Sequence, residues 1–322
     1  MKKRQLLALA AIALSTCANV WAQGGYPAKQ IRWVVPWPPG GGADTLTRLL
    51  APRLSEALGQ QIIVDNRGGA AGNIGADITA KSPPDGYTIA FAYSGTHSIN
   101  PSIYSKMPFR ESDFAPIIWL SSVPQVVVVH PSLPVKTIKD LIALDKARPG
   151  QLSYGSSGSG AINHLTGELF NNMTGTKLVH VPYKGGGPAA VALLSGEIGM
   201  IFGEPASVVG FLKAGKLRAI AVTSGKRSLS LPQLPTVAES GVPGYEVTSW
   251  NGVLAPAGVS PEIIRRLNSE LNKIIAAPDM SKRMIELGFE PVGGPPEKFG
   301  ELIRSETAKW APVVKRAGIK VD

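Results

Sequence analysis

Residues 31–44, IRWVVPWPPGGGAD, decide how the rest of the chain is interpreted. The run 31–35 is apolar and rich in β-branched residues, which predicts a short buried strand. A turn rich in proline and glycine follows at 38–44, and its last residue, Asp44, is a good N-cap for a helix that extends to Gly59. A strand, a tight turn and a helix in this order indicate a parallel sheet covered by helices.

The same order recurs along the chain. A strand at 62–64, a glycine-rich loop at 68–73 and a short helix come next, and the turn 83–86 precedes a strand at 87–92. A second alternating set follows. Its predicted strands lie at 123–130, 152–154, 178–181, 198–202 and 217–222. Two such sets predict an α/β protein with two lobes.

The two sets are not separated by a proline- or serine-rich linker, which tandem domains usually carry. Instead, 119–126 and 245–254 have strand-like sequences where the chain should change lobes. We therefore predict two chain crossings that act as hinges. Lobe one comprises 23–122 and 250–322, and lobe two comprises 123–249. Three helices after residue 260 are expected to cover the outside of lobe one.

Residues 1–22 are predicted to be a signal peptide. Cations at 2–4 precede an unbroken apolar run at 6–14, and Val20-Trp21-Ala22 places small residues before a cleavage point after Ala22. The run is far shorter than the roughly 20 apolar residues needed to span a bilayer. We therefore expect an exported protein. A lipoprotein anchor at Cys17 stays open as an alternative.

The composition excludes several classes of protein. The chain of 322 residues has one Cys, so a disulfide framework and a cysteine-based zinc site are excluded. It carries 33 Lys and Arg against 23 Asp and Glu, but these cations form no run, so a nucleic-acid partner is not expected. The histidines show no metal-ligand spacing, and we expect no metal or cofactor.

Enzyme motifs are incomplete. The stretch 155–160 is similar to the nucleophile elbow of hydrolases, but Ser159 occupies the place of a required glycine. The same stretch lacks the third glycine of a dinucleotide-binding fingerprint. One enzymatic alternative stays open, a secreted α/β hydrolase that uses the serine-rich loop 156–159.

Glycine-rich turns are the more informative feature. They recur between a strand and a helix at 38–44, 68–73, 155–161 and 184–188. Backbone N–H groups and the helix N-terminus behind such a turn can hold a carboxylate or a phosphate without arginine. We expect Gly41 and Gly158 to need the open backbone space or the close approach that glycine allows.

Several longer motifs resemble one family. They cover nearly the whole chain after residue 30 in order, and they resemble Bug/TctC-type solute-binding proteins. The stretches that carry the resemblance include 36–44 (PWPPGGGAD), 65–72 (DNRGGAAG), 84–88 (PDGYT), 180–185 (HVPYKG), 215–223 (GKLRAIAVT), 234–241 (LPTVAESG) and 250–252 (WNG).

The resemblance implies a periplasmic receptor rather than an enzyme. Members of this family have the two-lobe periplasmic-binding-protein fold, also called the Venus flytrap, here with type II-like chain crossings. They bind a small carboxylate in the cleft and deliver it to the membrane components of a tripartite tricarboxylate transporter. The ligand class stays open among di- and tricarboxylates, aromatic acids and amino acids. We expect a monomer.

The resemblance also indicates which residues contact the ligand. The loop of lobe one and the loop of lobe two are expected to hold a carboxylate, and side chains that follow other strands are expected to discriminate between ligands. A purely helix-capping role for Asp44 stays open, as does a solvent-facing role for Lys184. The expected set is Pro39, Gly40, Gly41, Gly42 and Asp44; Ser156, Ser157, Gly158, Ser159, Gly160 and Ala161; and Ser94, Thr96, Tyr183 and Glu204.

Overall fold

Within residues 25–320, which a computed structural model describes, eleven strands form two sheets. The predicted signal peptide and the lipoprotein alternative at Cys17 lie outside these residues. The first sheet has the order β11-β4-β10-β3-β1-β2, and the second has the order β7-β6-β8-β5-β9. The alternation of strands and helices that the sequence predicts is therefore confirmed.

The first sheet is parallel on one side and antiparallel on the other. β1 pairs in parallel with β2 and β3, whereas β10 runs antiparallel to β3 and β4. The mixed character follows from the connections, because strands joined by helices run parallel and the returning strand does not. The bounds are β1 Ile31–Val35, β2 Ile62–Asn66, β3 Thr88–Tyr93, β4 Phe114–Pro124, β10 Thr248–Pro256 and β11 Glu290–Pro291.

The helices of lobe one cover this sheet. In α1 (Gly42–Leu58), Leu46, Leu50 and Leu54 recur every four residues and are fully buried against it. The helix continues without a break through Pro52, although a proline inside a helix usually bends or interrupts it. The other helical segments of this region are a 3-10 turn Ala70–Gly72, α2 Asn73–Ala80, a π-helical turn Gly95–Ile99, α3 Asn100–Ile103 and a 3-10 turn Glu111–Asp113.

The second sheet repeats the arrangement. β6 pairs in parallel with β7 and β8, and β5 runs antiparallel to β8 and β9. All four residues of β5 are fully buried, as their run of valines predicts. The bounds are β5 Val126–Val129, α4 Ile138–Ala147, β6 Ser153–Ser156, α5 Ile162–Thr174, β7 Val179–Pro182, α6 Gly186–Ser195, β8 Met200–Gly203, α7 Pro205–Lys213 and β9 Arg218–Val222.

The chain passes between the two sheets along paired strands. β4 ends at Pro124 and β5 begins at Val126, so a single residue connects the first sheet to the second where the chain first crosses. On the return, Thr248 at the start of β10 pairs with Pro124 at the end of β4. The strand-like sequences at both places are therefore strands, whereas the lobe boundaries and the hinge motion stay predictions.

The C-terminal helices differ in part from the prediction. α8 (Pro261–Ala276) and α9 (Pro278–Glu286) pack on the core of lobe one. The last helix, α10 (Pro296–Ala317), begins on lobe one with Phe299, but its Trp310 belongs to the core of lobe two. Its 22 residues span about 33 Å, enough to reach across both cores. α10 therefore joins the lobes a third time.

No helix in residues 25–320 combines the length and the apolar character that a membrane span requires.

Candidate functional site

Two glycine-rich loops lead into helices whose N-cap residues make no side-chain hydrogen bond to the helix. The loop after β1 leads into α1 with Gly41 as N-cap, and the loop after β6 leads into α5 with Ala161 as N-cap. Pro39, Gly40, Gly41 and Gly42 are all exposed, as is Ser159 of the second loop. First-turn N–H groups without a side-chain acceptor favour an anion from outside, although in α5 His164 N already donates to Asn163 Oδ1 at 3.1 Å. Each loop therefore offers an anion-binding helix N-terminus.

Asp44 holds the lobe-one loop in place. It lies in the first turn of α1 rather than at the N-cap that the sequence predicts, and it is buried. Its carboxylate accepts hydrogen bonds from Gly40 N (2.9 Å), Arg48 Nε (2.9 Å) and Asn66 Nδ2 (3.0 Å). Burial opposes the charge, but these bonds outweigh it and lower the pKa of Asp44. The contacts describe a positioning group, and ligand contact by Asp44 stays a prediction.

The lobe-two loop is fixed by side chains of α5. Ser157 donates from its backbone N–H and its hydroxyl to Asn163 Oδ1, at 3.2 and 3.0 Å. Gly160 N donates to His164 Nδ1 at 3.0 Å. Gly158 has a φ of 138°, where side chains are strained, so the glycine expected there is required by the backbone. By contrast, Gly41 has a φ of −78°, and the backbone does not require glycine at that position.

Two stacked imidazoles lie directly behind this loop. The rings of His164 and His180 are 3.6 Å apart and nearly parallel, and His180 Nε2 is 2.6 Å from Ser156 Oγ. Glu168 Oε1 lies 3.8 Å from His164 Nε2 and accepts a hydrogen bond from the Tyr154 hydroxyl. Desolvation lowers the pKa of both histidines to about 4, and the neighbouring His180 adds to the shift at His164. The pair is therefore uncharged at neutral pH.

The uncharged pair predicts a loss of stability in acid. The unfolded chain takes up these protons near the ordinary pKa of 6.5, whereas the folded protein resists until about 4, so stability falls as the pH drops between these values. A series of melting temperatures from pH 7 to pH 4 should show this fall. His180→Gln removes one group that takes up a proton, so the melting temperature of this variant should fall less steeply with decreasing pH. Burial also lowers the pKa of His97, but this residue contributes equally to the wild-type protein and the variant. Identical slopes would contradict this assignment.

The residues after β3 form a buried polar cluster. Ser94 and Thr96 are fully buried. Thr96 donates to Ala71 O at 2.9 Å and so fixes the neighbouring glycine-rich turn. Ser94 Oγ has no hydrogen-bond partner in the described part of the chain. Thr96 is thus a positioning residue here, and Ser94 is an unused polar group beside the end of β3.

The sequence analysis did not identify two aromatic residues near the lobe-one loop as candidate ligand contacts. The rings of Trp37 and Tyr93 meet edge to face at 6.0 Å, and both side chains are partly exposed. Trp37 belongs to the loop after β1, and Tyr93 is the last residue of β3. An aromatic residue at the carboxyl end of a parallel strand is a signal that could have identified them.

The two remaining expected side chains, Tyr183 and Glu204, have different surroundings. The Tyr183 hydroxyl donates to Glu197 Oε1 at 2.7 Å, and desolvation together with this carboxylate raises the pKa of Tyr183 to about 12. Its polar end is therefore already engaged. Glu204 is exposed at the end of β8, and desolvation by the surrounding protein raises its pKa. Of the two, Glu204 has the carboxyl group available for a ligand.

A large surface groove lies beside, not between, the two glycine-rich loops. Its volume is about 1250 Å³, and it is lined by α7, the segment 229–234 and the end of α9. It approaches the candidate site only through Pro205, next to Glu204. In residues 25–320 we find no cluster of three or more His, Cys, Asp or Glu that could hold a metal.

The sequence of the chain decides its family. Residues 46–319 match the family described as Tripartite tricarboxylate transporter family receptor, TctC. The chain belongs to the TctC family. The resemblance to Bug/TctC-type proteins is therefore confirmed, and so is the α/β fold of periplasmic binding proteins.

Three relatives place this chain within the TctC family. Protein BugT of Bordetella pertussis is 37% identical over 325 residues, which cover 100% of both chains. The structure of R. palustris Rpa4515 with adipate is 41% identical, covers 92% of this chain and 99% of its own, and has a TM-score of 0.80. MatC from Rhodopseudomonas palustris with bound malate is 28% identical, covers 90% and 100%, and has a TM-score of 0.75. TctC-type receptors of known structure thus include proteins with carboxylates bound.

The hydrolase alternative finds little support in this TctC-type chain. Ser156 and His180 are in hydrogen-bond contact, as a nucleophile and its base would be. However, Ser156 is fully buried, and within residues 25–320 no carboxylate hydrogen-bonds to the His180 ring. The alternative is therefore not favoured.

Proposed function

We propose that this protein is a periplasmic receptor that captures a small carboxylate between its lobes. It delivers the ligand to the membrane components of a tripartite tricarboxylate transporter. The observation that carries the proposal is the pair of uncapped helix N-termini behind exposed glycine-rich loops, one on each lobe. The protein acts as a binding protein rather than as an enzyme, and works as a monomer that uses no cofactor.

The relatives support the chemical class of the ligand. Rpa4515 holds adipate and MatC holds malate, both small dicarboxylates. In this chain, one ligand carboxylate bridges the backbone N–H groups of Gly41 and Gly42 and that of Ser159, so that both lobes hold the same group. Asp44 and Ser156 keep these loops in position from behind, and Thr96 fixes the neighbouring turn at 68–73.

Capture requires the lobes to approach each other. We place the hinges at 119–126 and 247–253, where β4 and β10 pair and the β10 register shifts between Asn251 and Gly252. Paired strands can absorb a small rotation while each lobe stays rigid. α10 also contacts both lobes, so this helix has to move with the lobes when they rotate towards each other.

A carboxylate library tests the proposal. A ligand at 100 times its dissociation constant stabilises the protein by about 2.7 kcal/mol, which raises the melting temperature measurably. The same ligand should reduce the radius of gyration in small-angle scattering. Neutral methyl esters of the active compounds serve as controls and should have no effect. A library without a single active carboxylate, or hydrolysis of the esters, would contradict the proposal.

A further inference from the structure

We propose that Glu204 makes this receptor select carboxylates whose far end carries a hydrogen-bond donor, such as an amide, a hydroxyl or an ammonium group, over dicarboxylates. The inference rests on the proposed function, because it assigns the second end of a ligand whose first carboxylate is held by the glycine-rich loops. It differs from what the relatives that hold adipate and malate would suggest.

Glu204 is a carboxylate without a partner. It follows β8 directly and is the N-cap residue of α7, yet its side chain does not cap the helix. In the described chain no hydrogen bond or ion pair reaches its carboxyl group, although its side chain is exposed. Asp44 and Asp65, by contrast, are bound by arginines. An unpaired acceptor in a solvent-filled space between protein surfaces is available to a ligand.

Glu204 also lies where the lobes meet. Its neighbour Pro205 lies close to Gly288 of lobe one, and both residues line the surface groove. Two residues further on, Glu290 accepts hydrogen bonds from Ser228 Oγ (2.5 Å) and Leu229 N (2.8 Å) of lobe two. These contacts place the end of β8 against lobe one rather than on an outer face.

Glu204 lies beside the lobe-two loop, because β8 pairs in parallel with β6 and the two strands end at the same edge of the sheet. On lobe one, desolvation raises the pKa of Tyr93, and the negative charge of Glu204 raises it further. Tyr93 adjoins Ser94, whose buried hydroxyl has no partner in the described residues. A ligand between the lobes would therefore meet an anion on the lobe-two side.

The arginines near this space are already used, and the charge of Lys184, which lies beside the lobe-two loop, is exposed and screened by solvent. Arg48 binds Asp44 and Asn66, and Arg67 binds Asp65. A second ligand carboxylate would therefore be repelled by Glu204, because no free arginine of the described residues is there to offset the two negative charges. Only uptake of a proton by one of the two carboxylates would remove this repulsion. A donor group would instead stabilise the ionised form of Glu204, whose pKa desolvation by the surrounding protein raises. The charges around Glu204 therefore favour a ligand whose far end donates a hydrogen bond.

Calorimetry with matched ligands tests this inference. The pairs are succinate, glutarate, adipate and terephthalate, each against its monoamide, which has nearly the same shape but a neutral donor at one end. At about pH 8 we expect the best monoamide to bind at least about tenfold more tightly than its parent dicarboxylate. In Glu204→Gln, whose amide can donate, the dicarboxylate should gain about tenfold and the preference should disappear.

The controls separate charge from fold. Glu262→Gln changes another exposed glutamate at a helix N-terminus, on the far helix α8, and should leave both affinities unchanged. Equal affinities of a pair in the wild-type protein, or a dicarboxylate preference in it, would overturn the inference and leave the proposed function intact. Failure of all four monoamides to bind would also overturn the inference. It would overturn the proposed function as well only if no carboxylate in the library raised the melting temperature.

Discussion

Gly41→Val should weaken carboxylate binding by at least about tenfold, or about 1.4 kcal/mol, while the protein folds normally. Within 4 Å of a Cβ placed at Gly41 there is only Pro38 O, at 3.7 Å, so the new side chain meets no obstacle in the free protein. Its backbone is already in a region that valine adopts. The two methyl groups would occupy the exposed space from which a carboxylate approaches the first turn of α1. Calorimetry with the best ligand of the library measures the loss.

Two further variants make this experiment selective. Gly210→Val adds the same side chain on α7, where a Cβ meets nothing within 4 Å, and should leave binding unchanged. Lys184→Ala removes the exposed cation next to the lobe-two site and should cost well under tenfold, since a solvent-exposed charge is screened. A large loss in Lys184→Ala together with normal binding in Gly41→Val would mean that a salt bridge, not the backbone, holds the ligand.

Trp310→Ala should lower the free energy of unfolding by about 3–5 kcal/mol. The indole is fully buried in the core of lobe two, although α10 begins on lobe one. Truncation leaves a cavity in this core that α10 cannot fill by a small shift, because the helix is held at its other end by Phe299. Urea unfolding followed by far-ultraviolet circular dichroism gives the change.

Glu301→Ala provides the reference on the same helix. Glu301 is exposed, and alanine is an equally good helix former, so the stability should change little. A loss below about 1 kcal/mol in Trp310→Ala would show that the end of α10 contributes little to the core of lobe two.

The sequence predicts the fold well because local patterns determine it. The valines of β5 and the leucines of α1 are buried as their spacing requires, and glycine-rich turns stand where strands lead into helices. The contact of α10 with the cores of both lobes was not predictable from such local patterns. Its apolar residues indicate a buried face, but which core that face enters depends on the packing of two lobes.

The candidate site is predictable at the level of loops and less so at the level of side chains. The glycine-rich loops are exposed before uncapped helices, as their composition suggests. By contrast, sequence cannot show that the Tyr183 hydroxyl is engaged by Glu197 or that the rings of Trp37 and Tyr93 meet edge to face. These relations depend on side-chain direction across a sheet, which spacing along the chain does not encode.

The path of α10 has a consequence for how the molecule is made. A growing chain that has reached residue 250 contains all five strands of the second sheet, yet it lacks the indole that completes their core. The core of the lobe encoded in the middle of the sequence is therefore complete only after residues 310–314 have been synthesised.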